Sequence, residues 1–343
     1  MATGKTFDGK SYAGNPHVRF DEGADAQSQS GHSTLLYKTT RLCKTTRREF
    51  AMKLAGSAGC VALGGCQALG LGNHPRDGYG RTIRDRLWMW GHHPLSLKTA
   101  KLPFGDKPHV DMAAACQGMG IPNVCCVRWT GLPKPPFDDY IVQFRGMKRV
   151  AWSVTDDADE PFEKKVDLAF ALFPKMPNLT TLYLDDYFNI RQKHTRPISD
   201  LEMLRERLDA LPQRGRLASV LYADGNGFRD KYRPSLALCD EVSLWFWSVD
   251  GLGGMEYKAC KCREFLGSDK SLMLGIYMWD FGGNRDVPGD RIYYQLDTAH
   301  RLLSERVIDG LIFHCTPLCD TGLLAVEKCR DWIAKNADDE WGV

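Results

Sequence analysis

A chain of 343 residues with 43% hydrophobic and 26% charged residues can bury one large core or two small ones. Its formal charge of +2 excludes the basic surface of a nucleic-acid-binding protein and a polybasic membrane patch. The 12 cysteines include the vicinal Cys125 and Cys126 and the near neighbours Cys260 and Cys262, but no two CxxC units, which excludes the usual structural zinc spacing. Cys125, Cys126 and Cys315 lie in apolar runs, and the expectation is of mostly reduced, buried thiols.

Residues 1–44 are polar, rich in Gly, Ser and Asp, and lack apolar periodicity; they read as a disordered leader or the artefact of an upstream start codon. Next comes Thr46-Arg47-Arg48-Glu49-Phe50-Ala51-Met52-Lys53 and a small-residue apolar run, together covering 45–72. This segment resembles a twin-arginine export signal. Basic residues at a helix start oppose its dipole, and the glycines and Pro75 suit no stable helix, so an ordinary amphipathic helix is the weaker reading. The "LGGC" at 63–66 resembles a lipobox, which implies lipidation of Cys66; cleavage near Gly70 is the rival. The resemblance implies the twin-arginine export machinery as a partner and a periplasmic or membrane-anchored address. Residues 73–85 read as a linker.

Over 86–338 the sequence alternates regularly. Buried strands are expected at 86–91, 123–129, 149–155, 180–186, 216–224, 241–248, 272–280 and 310–316. Helical periods lie between them, clearest at 161–173, 200–211 and 290–308, with another at 321–335. Ser199-Asp200-Leu201-Glu202 reads as a capping box. Eight βα units in one domain predict an α/β fold of the closed (β/α)₈ barrel type. The lone "GLGG" at 251–254 lacks the spacing of a nucleotide fingerprint, and no cofactor or metal ion is expected.

Barrel strands alternate between helix layer and lumen, and barrel sites sit at the strand C-termini. Assigning the more aliphatic set of each strand to the helix layer leaves a rim of Trp90, His92, Arg128, Asp157, Asp185, Tyr222, Asp224, Trp247, Trp279 and His314. Flat rings stack on the C–H faces of sugars, Asp, Arg and His bind hydroxyls, and paired carboxylates cleave glycosidic bonds. Trp88 and Trp245, deeper in their strands, read as core filler, Asp159 as a helix N-cap, and Asp156 as either cap or site.

The segment "TLYLDDYF" is similar to the aspartate-ended fourth strand of (β/α)₈ glycoside hydrolases, including the α-galactosidase-like and polygalactosaminidase-like groups. That resemblance implies Asp185 or Asp186 as nucleophile or principal carboxylate. The α-galactosidase-like pattern places its acid/base on an aspartate ending strand six; here Asp250 lies three residues past Trp247, so Asp224, Asp250 and Asp280 all stand as partner acids. The expected activity is hydrolysis of a carbohydrate substrate by an exported enzyme. The alternatives are a non-catalytic carbohydrate-binding barrel and a metal-assisted hydrolase using His92, His93 and a nearby aspartate.

Overall fold

Runs of aliphatic, aromatic and β-branched residues that carry charge only at their first position suit strands covered on both faces. In the computed structural model, which describes residues 79–156, 158–188, 197–223 and 228–342, these runs form β1 (Leu87–Gly91), β2 (Asn123–Cys126), β3 (Arg149–Ser153) and β4 (Leu179–Leu184). They continue as β5 (Arg216–Tyr222), β6 (Glu241–Trp245), β7 (Ser271–Tyr277) and β8 (Gly310–His314). Each is parallel to its sequence neighbours, and β1 pairs with both β2 and β8, closing the barrel expected from the sequence. β1 ends where the sequence places it, at Gly91, and the other strands stop two or three residues before the ends expected from the apolar runs.

The outer layer is built from α1 (Met112–Met119), α2 (Phe162–Phe170), α3 (Ile198–Asp209), α4 (Arg233–Ala237), α5 (Met255–Leu266), α6 (Gly289–Ser304) and α7 (Leu324–Asn336). The eight-unit expectation fails at one place. Between β2 and β3 the chain makes a 3₁₀ segment, Tyr140–Gly146, instead of an α-helix. Pro133, Pro135 and Pro136 stand ahead of it, and proline removes helix donors and clashes with the preceding turn.

Local cap signals were misplaced too. Asp111 caps α1 by accepting from the Ala114 N–H at 2.9 Å. The expected capping box at Ser199 does not form: Pro197, fixed in an extended conformation, sets the start of α3, so Ser199 falls inside the first turn. Pro161 likewise precedes α2, and neither Asp156 nor Asp159 caps it.

The barrel is filled, as small barrels are. Trp90 meets Tyr183 and Trp245 edge-on, both at 5.2 Å between ring centroids. Gly275 is where the backbone must make room: a Cβ there would lie 2.1 Å from Cε3 of Trp245. The base is closed from outside the strand set. Tyr79 donates its hydroxyl to Oε2 of Glu241 at 2.8 Å, and the Arg149 guanidinium lies 4.5 Å from its ring centroid. The part of the expected linker that is described, 79–85, is thus docked against the barrel, with Tyr79 and Ile83 buried. Of the described cysteines, eight are free thiols, while Cys260 is disulfide-bonded. Among the described residues no helix is long and apolar enough to cross a membrane.

Candidate active site

The C-terminal strand ends carry a continuous arc of rings. From the end of β5, Tyr222 meets Trp247 (6.1 Å), which meets Tyr277 (6.1 Å) and Phe281 (6.0 Å). Phe281 touches His314 (4.8 Å), His314 touches His92 (5.3 Å), and His92 touches Trp129 (4.9 Å). The arc therefore runs from β5 round to the end of β2. Trp90 lies a layer deeper, stacked on His314 at 6.3 Å and only 3% exposed, so it serves as the floor.

The gap in the arc, at the end of β4, holds Asp185 and Asp186. Asp186 sits at φ +53°, a left-handed conformation that aspartate tolerates better than most residues. It redirects the chain at the strand end, and its Oδ1 accepts the Tyr222 hydroxyl at 2.7 Å. The Asp185 carbonyl accepts from Thr155 Oγ1 at 2.7 Å, which holds the ends of β3 and β4 together. The charge of its carboxylate is felt by Cys125, Tyr222 and Tyr277. Both aspartates are half-buried.

Burial pushes the Tyr222 hydroxyl well above the ordinary tyrosine range, reinforced by Tyr277 and by the charges of Asp186 and Asp185. Tyr277 rises for the same reasons, with burial first and the two aspartates next, although its hydrogen bond with Tyr222 pulls the other way. Both hydroxyls remain proton donors at neutral pH. Burial moves His92 down to about 4 and His314 well below its usual value, so both imidazoles are neutral. Nδ1 of His92 faces the Val127 carbonyl at 3.2 Å. Its backbone is fixed by a reciprocal exchange with Thr316: the His92 N–H donates to Oγ1 at 2.9 Å, and the hydroxyl donates to the His92 carbonyl at 3.1 Å.

Three residues expected at this mouth are elsewhere. Arg128 is 2% exposed and donates from Nη2 to both carboxylate oxygens of Glu160 (3.0 and 3.1 Å) and from Nε to the Pro133 carbonyl (2.9 Å). It closes the loops after β2 and β3 and is not presented to a ligand. Asp280 is 1% exposed; it accepts from Arg285 Nε and from the Gly283 N–H, both at 3.0 Å. These bonds anchor a short antiparallel ribbon, Trp279–Asp280 against Arg285–Asp286. Trp279 is buried edge-on against Phe104 at 4.8 Å, so its face is covered. The ribbon explains both misplacements: strand alternation ends at Tyr277 and cannot be carried past it. Asp250 is exposed and bonded to the other arm of Arg285 at 3.1 Å. Asp156, with its carboxylate 1% exposed, lies 2.9 Å from Lys165 Nζ and accepts from the Ala158 N–H at 3.1 Å.

Tyr277, Phe281 and Trp129 complete the arc and were not singled out in the sequence. Tyr277 and Phe281 share the parity of Trp279, which was the available signal. Asp157, Asp224, Cys66 and the whole 45–72 segment lie outside the described residues.

No family model matches the chain, and no curated protein matches it. Solved structures of similar shape include a xylanase and α-amylase inhibitor protein from Scadoxus multiflorus, 11% identical with a TM-score of 0.46, covering 75% of this chain and 99% of that one. A chitinase from Ipomoea carnea is 11% identical with a TM-score of 0.43, over 72% of this chain and 98% of that one. The spore cortex-lytic enzyme of Bacillus cereus is 9% identical with a TM-score of 0.43, over 72% and 74%. At that level of likeness nothing about activity passes from them to this chain.

Proposed function

We propose that the protein is a glycoside hydrolase whose substrate enters the mouth of the barrel. The observation that carries this reading is the placement of Asp185 and Asp186 beside an aromatic arc formed, among the described residues, by Tyr222, Trp247, Tyr277 and Phe281. Rings at a strand-end mouth offer flat faces to the C–H surface of a sugar. Carboxylates beside them can meet the charge that develops on the anomeric carbon and exchange a proton with the leaving oxygen. In this reading Asp185, whose charge reaches Tyr222 and Tyr277, is the principal carboxylate. Asp186 is the second, held in place by Tyr222, while Tyr277 donates to a sugar hydroxyl. Asp224 retains its place as a candidate acid at the end of β5.

A second reading, a barrel that binds carbohydrate without cleaving it, is favoured by one observation. Asp280 and Arg128 are committed to internal ion pairs, so among the described residues the mouth draws its carboxylates from a single strand end. The experiment that separates the two is turnover on a panel of glycosides and glycan fragments, together with equilibrium binding. Wild-type turnover that Asp185→Asn removes, with the folding midpoint unchanged, supports the enzyme. Binding without turnover by the wild type supports the second reading.

The export route belongs to the same proposal. Mass spectrometry of the mature N-terminus in cells would show diacylglyceryl-modified Cys66 if the lipobox reading holds, and an unmodified terminus near Gly70 if simple cleavage does.

A further inference from the structure

We propose that His92, His314 and Cys315 form a binding site for one borderline-soft divalent transition-metal ion of the zinc class. The site rests on the register of the barrel's closing seam. Trp90 of β1 is paired with His314 of β8, which brings His92, two residues further on, beside His314 and Cys315. One ligand atom from each of the three lies within 4.8 Å of the others. Ligand bonds of about 2.0–2.1 Å to nitrogen and about 2.3 Å to sulfur put tetrahedral donors roughly 3.3–3.8 Å apart, a small side-chain adjustment from this arrangement.

Two further observations point to a ligand. Nδ1 of His314 is buried and has no hydrogen-bond partner, which is costly for a native polar atom unless something else satisfies it. His92 places Nδ1 on the Val127 carbonyl, the outer contact that fixes an imidazole tautomer and leaves Nε2 for a metal. Binding expels the Cys315 proton to solvent as the sulfur becomes a thiolate ligand. The balance is one divalent ion taken up and one proton released. Three protein ligands leave a fourth position for water or a sugar hydroxyl. His93 takes no part: its ring stacks on Tyr140 at 5.8 Å, and its Nδ1 accepts from the Leu95 N–H at 3.2 Å.

The test is titration of the reduced, folded protein with cobalt(II), read by metal content after dialysis and by absorption. The expected result is one cobalt per chain with a thiolate-to-cobalt charge-transfer band. That band should disappear in Cys315→Ser and persist in Cys319→Ser, whose thiol lies on the neighbouring turn. His92→Ala should weaken cobalt binding at least about tenfold. Absence of stoichiometric cobalt in the wild type overturns the proposal, as does a band that survives in Cys315→Ser. Should Cys315→Ser fail to fold, His92→Ala is read in its place, and unchanged affinity there overturns it.

Discussion

Tyr222 donates its hydroxyl to Asp186 in a 2.7 Å hydrogen bond, tying the end of β5 to the residue that turns the chain away from β4. Removing the hydroxyl alone, in Tyr222→Phe, leaves the ring in the arc but takes this donor from the Asp186 carboxylate. We expect a loss of about 1 kcal/mol in stability from the missing hydrogen bond. Turnover should fall with little change in KM, because sugar stacking survives. A raised KM with unchanged kcat would place Tyr222 in binding alone.

Asp185→Asn is nearly isosteric and keeps the carbonyl that accepts from Thr155. Loss of a carboxylate that exchanges a proton or meets developing charge should reduce kcat/KM by at least about 10²-fold. Chemical denaturation should move by less than about 1 kcal/mol, because the position is half-buried and the backbone bond is retained.

Trp247 and Trp279 should separate cleanly. Trp247 is half-buried in the arc, whereas Trp279 is 4% exposed beneath Phe104. Trp247→Ala should weaken glycan binding about tenfold, the loss of about 1.4 kcal/mol of stacking. Trp279→Ala should instead cost roughly 3–5 kcal/mol of stability by opening a cavity. Isothermal titration and urea denaturation of the two variants check both.

Gly275→Ala would drive a methyl group to 2.1 Å from the Trp245 ring in the centre of the lumen. Overpacking of this kind costs roughly 1–3 kcal/mol. Pairing the change with Trp245→Phe should recover part of that loss, measurable in a double-mutant cycle.

Stability should decline at alkaline pH. Tyr79, Tyr183, Tyr222 and Tyr277 are all raised well above the tyrosine range, each chiefly by burial. A group whose pKa is raised by folding keeps its full contribution below the unfolded value, about 10, and loses it as pH climbs toward the folded value. Unfolding followed by fluorescence should therefore show a midpoint that is flat in the neutral range and falls above about pH 10.

The barrel was legible because its strands are apolar on both faces and are separated by helical periods; no other arrangement buries eight such runs so economically. Inward placement of Tyr183 and Trp245 followed from alternation. The errors fall where alternation stops. Past Tyr277 the chain enters a ribbon, so Trp279 and Asp280 lost the orientation that the strand would have given them. Arg128 was misassigned because its partner, Glu160, comes from the next βα loop, and loop pairings leave no period in the sequence. Cys315 was read as a small hydrophobe because only the closed seam brings it and His314 beside His92.

The hydrogen bond from Tyr79 to Glu241 seals the end of the barrel opposite the mouth. Among the described residues the lumen is filled and its base is capped, which leaves the strand C-terminal face as the place where a ligand can enter. A long polymer cannot be threaded through it; only a chain end or a looped segment can dip in, and whatever is made must back out past Trp247 and Phe281 before anything new arrives. Departure, as much as chemistry, would then set the pace of any cycle that this mouth supports.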